Sequence, residues 1–295
     1  MQTTVLARLQ LLAAAFLFST GGVAIKSCQL SDWQIAGFRC GVAAAAMWLL
    51  LPAARRRWTW RVLLVGAAYA ATLTLYALAN KATTAANAVL LQSTAPLYLV
   101  LLAPALLGER VRGRDLLLMA AMAAGLVVLL SGDVAATVTA PAPGRGNLLG
   151  ALAGGCWALT LLGLRWLERS SPRDTRGHAA AAVVAGNLLA FLAALPMALP
   201  VVDSRPADWE WVLYLGVFQI AVAYMLLTAA MRSVPAFDAA LLLLVEPVFN
   251  PVWAWWIHGE VAGPATLLGG AVILAVTAAK TWLDSRRPWL DPRAP

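Results

Sequence analysis

Charged residues are scarce in this chain of 295 residues, which has 12% charged and 61% apolar residues. A soluble domain of this length would lack the polar surface needed to cover its core. The composition excludes that class and predicts a polytopic membrane protein.

Cysteine and histidine are also rare. The cysteines, Cys28, Cys40 and Cys156, form an odd and unpatterned set beside or within apolar runs, and the histidines are His178 and His258. Such a set predicts neither a disulfide framework nor a metal site.

Sequence motifs of catalysis are missing as well. The chain has no H-E-x-x-H helix, no paired-aspartate site, no nucleophile with its base and no phosphate-binding glycine loop. We expect no enzymatic activity and no cofactor, so transport would be secondary rather than driven by ATP.

Long apolar runs are the dominant feature of the chain, and ten of them can cross about 30 Å of hydrocarbon. They lie at 7–26, 33–52, 60–80, 83–107, 115–131, 147–167, 177–200, 209–231, 236–258 and 263–282. The sequence therefore predicts an all-α membrane protein with ten transmembrane helices.

An internal duplication divides these runs into five and five. A shift of 151 residues places Asn87 to Pro96 on Asp238 to Pro247, and the Gly-Glu pair at 108–109 on the pair at 259–260. We expect a first repeat at 1–136, a linker at 137–146, a second repeat at 147–282 and a cytoplasmic tail at 283–295.

The positions of Lys and Arg predict the orientation. With the N-terminus in the cytoplasm, seventeen of them fall in cytoplasmic loops and four outside. Orientation also explains the net charge of +8, which therefore does not indicate a nucleic-acid partner. Five spans per repeat place both termini inside and invert the second repeat, an arrangement typical of alternating access around a midplane site.

Each half carries a proline-containing fourth helix that ends in Gly-Glu, with Lys26 and Arg165 at equivalent ends of the first helices. In these features the chain resembles the EamA family of the drug/metabolite transporter superfamily, and within it the YddG-type bacterial exporters of aromatic amino acids. The resemblance implies export of amino acids or similar small metabolites across the bacterial inner membrane.

Glu246 is the sharpest candidate for a functional residue, because it lies within the ninth span and shares a helical face with Asn250 and Trp253. Two interpretations stay open. The carboxyl group binds an ammonium group or a proton, or it steadies a helix whose interior Pro247 interrupts.

A polar stripe on the third span is the second candidate. Tyr69, Thr72, Tyr76 and Asn80 recur at helical spacing on an otherwise Ala- and Leu-rich helix. The stripe either lines a cavity or packs between helices.

Single polar residues in other spans complete the predicted cavity: Gln92, Tyr98, Trp157, Thr160 and Tyr224. Arg39, inside the second span, needs a partner or water, and we expect a structural partner. Gly150 and Gly154 predict a close approach of two helices.

Together these features predict an amino-acid exporter that alternates its access, with Glu246 as a candidate for proton coupling. A carrier of drugs or other metabolites, or a channel, stays open as an alternative. The expected partners are a small-molecule substrate and membrane lipids, and a monomer would suffice.

Overall fold

Helices account for the regular structure that the computed structural model shows in residues 2–55, 58–107, 113–132, 135–170, 175–230 and 242–285. One isolated bridge joins Thr137 and Ala140. Over these ranges the predicted all-α class is confirmed.

The first half of the chain contains seven helices. They are α1 (Gln2–Ser19), α2 (Gly21–Ser27), α3 (Asp32–Leu50), α4 (Trp60–Ala82), α5 (Ala85–Gln92), α6 (Ala95–Leu107) and α7 (Gly113–Leu130). A 3₁₀ turn at Pro52–Arg55 follows α3.

The described residues of the second half include six α-helices and a π-helical segment with defined bounds. They are α8 (Pro143–Ser170), α9 (Thr175–Ala198), α10 (Pro206–Leu213), the π segment (Tyr214–Val222), α11 (Ala223–Ala230), α12 (Val245–His258) and α13 (Pro264–Ser285).

Nine stretches of the described residues are long and apolar enough to cross a membrane, and they match the predicted spans one to eight and ten. The predicted ninth span begins within 231–241, which lies outside the described residues, and continues as α12. The count of ten, the inversion of the repeats and the orientation therefore stay predictions.

The sixth span begins earlier than expected. α8 starts at Pro143 rather than at residue 147. Proline is tolerated in the first turn of a helix because its missing N–H would have no intrahelical acceptor there.

Several predicted single spans are interrupted. The first breaks at Thr20, between α1 and α2, and the fourth at Ser93 and Thr94, between α5 and α6. A turn at Leu244, 151 residues after Ser93, precedes α12. Pro247 consequently lies in the first turn of α12, which corrects the expectation that it interrupts a helix interior.

The contact between α5 and α8 confirms the predicted role of the small residues. A Cβ on Gly150 would lie 3.1 Å from Leu91 Cβ, and one on Gly154 would lie 2.8 Å from the Leu91 carbonyl oxygen. Glycine at these positions lets the two backbones approach closely.

This contact predicts different effects for two neighbouring substitutions. Gly154→Ala should lower the free energy of unfolding by about 1 to 3 kcal/mol, because the new methyl group meets backbone that cannot move independently. Gly155→Ala is the control, since its Cβ would meet only the Tyr98 ring, at 3.6 Å. Thermal unfolding in detergent measures both, and equal stability of the two variants would contradict this packing.

Candidate functional site

The interruption of the first span at Thr20 organises the polar residues of the interior. Ser19 Oγ donates to the Phe16 carbonyl and Thr20 Oγ1 to the Leu17 carbonyl, each at 2.7 Å. Thr20 Oγ1 also lies 2.8 Å from the Tyr214 hydroxyl of the π segment. The two side chains thus satisfy their own helix, while Thr20 also connects the break to its surroundings.

Two glycines after the break allow polar side chains from three other elements to converge on it. A Cβ on Gly21 would lie 2.9 Å from Gln219 Nε2 of the π segment. One on Gly22 would lie 2.6 Å from Asn250 Oδ1 and 2.9 Å from Asn80 Oδ1. Any larger residue at Gly22 would displace these amides.

Tyr76 joins α4 to α12 beside the break. Asn250 Nδ2 donates to the Tyr76 hydroxyl at 3.2 Å, and Asn80 Nδ2 donates to the Tyr76 carbonyl at 3.0 Å. Both asparagines are fully buried, and their Oδ1 atoms have no hydrogen-bond partner among the described residues. The cluster therefore presents two buried acceptors that are available to a donor.

The predicted stripe of α4 faces the protein, since all four of its side chains are buried. Thr72 Oγ1 lies 3.5 Å from Thr160 Oγ1 of α8. The Tyr69 ring packs edge-on against Tyr224, with centroids 5.5 Å apart, and lies 6.4 Å from the Trp157 ring. Seven of the predicted site residues thus meet along one face of α4.

The other predicted residues occupy different positions. Trp253 turns towards α1, where its Nε1 donates to Ser19 Oγ at 3.0 Å. Glu246 is half-buried and makes no hydrogen bond or ion pair within the described ranges. Gln92 and Tyr98 are half-buried near α8, where the Tyr98 ring packs against Gly155. The structure does not bring these last two to the stripe.

The π segment contributes residues that the periodicity of the sequence did not select. It lies beside the break of the first span through Tyr214 and Gln219, and π-helical turns occur frequently at functional sites. The Gly21-Gly22 pair after Ser19 and Thr20 was the available sequence signal.

A buried ion pair lies at one end of the helix assembly. Lys26 Nζ lies 2.8 Å from Glu260 Oε1, with side-chain exposures of 2% and 6%. Lys26 also donates to the carbonyls of Thr83 and Thr139, and Glu260 Oε2 accepts the backbone N–H of Ala85 at 2.9 Å. The pair thus ties together the ends of α2, α5 and α12.

The opposite end contains a second pair, between α7 and α13. Lys280 Nζ lies 3.0 Å from Asp115 Oδ1, and the two residues border a cleft lined mainly by apolar side chains. Both pairs join elements that are distant in the sequence.

Comparison with known proteins shows that this chain is similar to transporters. The sequence profile described as the EamA-like transporter family matches residues 6–131 and 144–279. An uncharacterized transporter of Archaeoglobus fulgidus is 30% identical over 205 residues, which cover 69% of this chain and 70% of that protein. A crystal structure with 22% sequence identity superposes with a TM-score of 0.61 over 95% of this chain and 98% of its own, and it supports the fold alone.

The contact between Trp253 and the break predicts an effect on stability. Trp253→Phe should lower the free energy of unfolding by about 1 kcal/mol, because Ser19 loses a donor. Trp256 lies one turn later on α12 and is 72% exposed. Trp256→Phe should therefore leave the free energy of unfolding unchanged. Thermal unfolding in detergent distinguishes them, and equal losses would remove the assigned role of the indole N–H.

Proposed function

Because the chain belongs to the EamA-like transporter family, we propose that this multi-pass membrane protein exports neutral amino acids, aromatic ones among them, across the bacterial inner membrane. The observation that carries the proposal is the buried aromatic and amide cluster beside the interrupted first span. Interrupted helices and buried polar groups mark substrate sites in secondary transporters.

The chemistry of the cluster suits an amino acid with an apolar or aromatic side chain. Tyr69, Trp157 and Tyr224 provide ring faces and edges for stacking. The acceptor oxygens of Asn80 and Asn250 suit an ammonium group, which donates hydrogen bonds and accepts none.

The ion pairs at the two ends of the helix assembly support alternating access. In the predicted orientation, the buried pair of Lys26 and Glu260 lies on the extracellular side and the pair of Lys280 and Asp115 on the cytoplasmic side. An ion pair at each end can break while the other holds, so that the central site opens to one side at a time. A channel would need both ends open together.

Glu246 couples export to protons in this proposal. Its carboxyl group is half-buried and has no ionic or hydrogen-bond partner in the described part of the chain. A carboxylate there can bind either a proton or the substrate ammonium group, and competition between them gives exchange of one for the other.

Counterflow tests the function and the coupling together. Wild-type protein in liposomes preloaded with unlabelled phenylalanine should accumulate labelled phenylalanine at a rate that depends on pH between about 6 and about 8. Glu246→Gln should exchange more slowly and lose the pH dependence, because an amide neither titrates in that range nor carries a charge for the ammonium group. A pH profile unchanged in the variant would remove Glu246 from coupling.

The controls for counterflow separate the alternatives. Liposomes without the protein should show no accumulation, and a protein that transmits label without counterflow would be a channel. Absence of counterflow with every amino acid would contradict the proposed substrates, and a panel of drugs and other metabolites would then be tested in the same assay.

The reactivity of Cys28 can show whether the end that contains the Lys26–Glu260 pair is accessible to water. Cys28 is 1% exposed next to Lys26, and burial raises the pKa of its thiol to about 11. Because the thiolate is the reactive form, only about one thiol in a thousand is reactive at a pH of about 8. The test uses a background in which Cys40→Ala and Cys156→Ala leave Cys28 as the remaining cysteine. In it, Glu260→Gln should raise the rate of maleimide labelling at least about tenfold, because exposure of Cys28 lowers the pKa of its thiol.

Asp115→Asn provides the matched control, because it breaks the pair at the opposite end. In the alternating scheme it should leave Cys28 labelling unchanged or slow it. If both variants accelerate labelling equally, the pairs stabilise the fold and do not gate it.

A further inference from the structure

Arg39 is a buried charge that the site described above does not use. It lies on α3 about 10 Å from the helix end at Asp32, counted at 1.5 Å per residue, and it is 1% exposed. No carboxylate lies within ion-pair distance of it in the described ranges. A guanidinium at this depth is costly without a partner, and such residues in spans are functional candidates.

One hydrogen bond directs the guanidinium towards the stripe of α4. Arg39 Nη2 donates to the Leu73 carbonyl oxygen at 2.7 Å, which provides the expected structural partner. Leu73 lies on α4 between Tyr69 and Tyr76. Arg39 Nε has no hydrogen-bond partner among the described residues, so this contact leaves a donor unused.

The backbone of Arg39 lies close to the π segment. A Cβ on Gly216 of the π segment would lie 2.8 Å from the Arg39 carbonyl oxygen and 2.5 Å from Val42 Cβ. The irregular segment therefore packs closely against α3 at Arg39.

Glu246 supplies the opposite charge across the same tyrosines. On α12, Glu246 lies one turn before Asn250, whose Nδ2 donates to the Tyr76 hydroxyl at 3.2 Å. Arg39 and Glu246 form no ion pair with each other. Two opposite charges without an ion-pair partner in the described ranges thus lie near the tyrosines of α4.

We infer that Arg39 binds the carboxylate of the substrate while Glu246 faces its ammonium group, so that the transported class is the zwitterionic α-amino acid. This assignment rests on the proposed function. A guanidinium suits a carboxylate because several N–H donors lie in one plane with it. Each charge brought in by the substrate neutralises one that the protein leaves unpaired.

Competition in the counterflow assay tests the inference with three probes. Phenylalanine carries both groups, phenethylamine lacks the carboxylate, and phenylpropionate lacks the ammonium group. In wild-type protein, unlabelled phenylalanine should compete at least about tenfold more strongly than either analogue, because each loses a charge-assisted contact.

Arg39→Gln should weaken competition by phenylalanine at least about tenfold and leave competition by phenethylamine unchanged. Arg39→Lys should recover part of the difference, because it restores the charge without the planar donor set. Size-exclusion chromatography in detergent checks that each variant remains monodisperse.

The outcomes separate this inference from the proposed function. If Arg39→Gln weakens competition by phenylalanine and by phenethylamine equally, or weakens neither, the carboxylate site is overturned. The proposed amino-acid transport would still stand. If the wild-type protein does not exchange phenylalanine, the proposed function fails, and this inference fails with it. If Arg39→Gln does not fold, the wild-type comparison decides, and equal competition by phenethylamine overturns the inference.

Discussion

The interruption of the first span is the constraint on which the interior depends. In hydrocarbon, backbone groups released from a helix need partners, so irregular backbone is confined to places where protein or water can supply them. Here Thr20 contacts Tyr214, and the lack of side chains at Gly21 and Gly22 leaves room for Gln219 and for the amides of Asn80 and Asn250. The polar residues of three further elements are thereby drawn to one place.

The same need for polar partners explains why a charged pair, rather than apolar side chains, lies where the ends of α2, α5 and α12 meet. Lys26 and Glu260 are buried together, and each also binds backbone groups at helix ends. A buried pair adds little stability over apolar residues of the same volume, but removing one partner is strongly destabilising. Loss of either partner would therefore leave an uncompensated buried charge beside these helix ends.

Periodicity predicted the regular parts of the molecule. Tyr69, Thr72, Tyr76 and Asn80 recur at helical spacing, so their common face could be predicted, and apolar length predicted nine of the spans that the described residues show. The π segment and the break at Thr20 could not be predicted in the same way, because neither contains a proline and their shapes depend on contacts with distant helices. The pairing of Lys26 with Glu260 likewise requires the tertiary fold.

At the turn before the proline-containing helix, the predicted duplication preserves the backbone more closely than the side chains. At the shift of 151 residues, the turn at Leu244 matches the break at Ser93, but Glu246 falls on Ala95 and Asn250 on Leu99. Conversely, Tyr69 falls on Ile220 and Tyr76 on Leu227. The aromatic stripe therefore belongs to the first half and the acidic and amide face of α12 to the second, and the hydrogen bond between Asn250 and Tyr76 joins them. The two halves therefore contribute different chemical groups to the same contact.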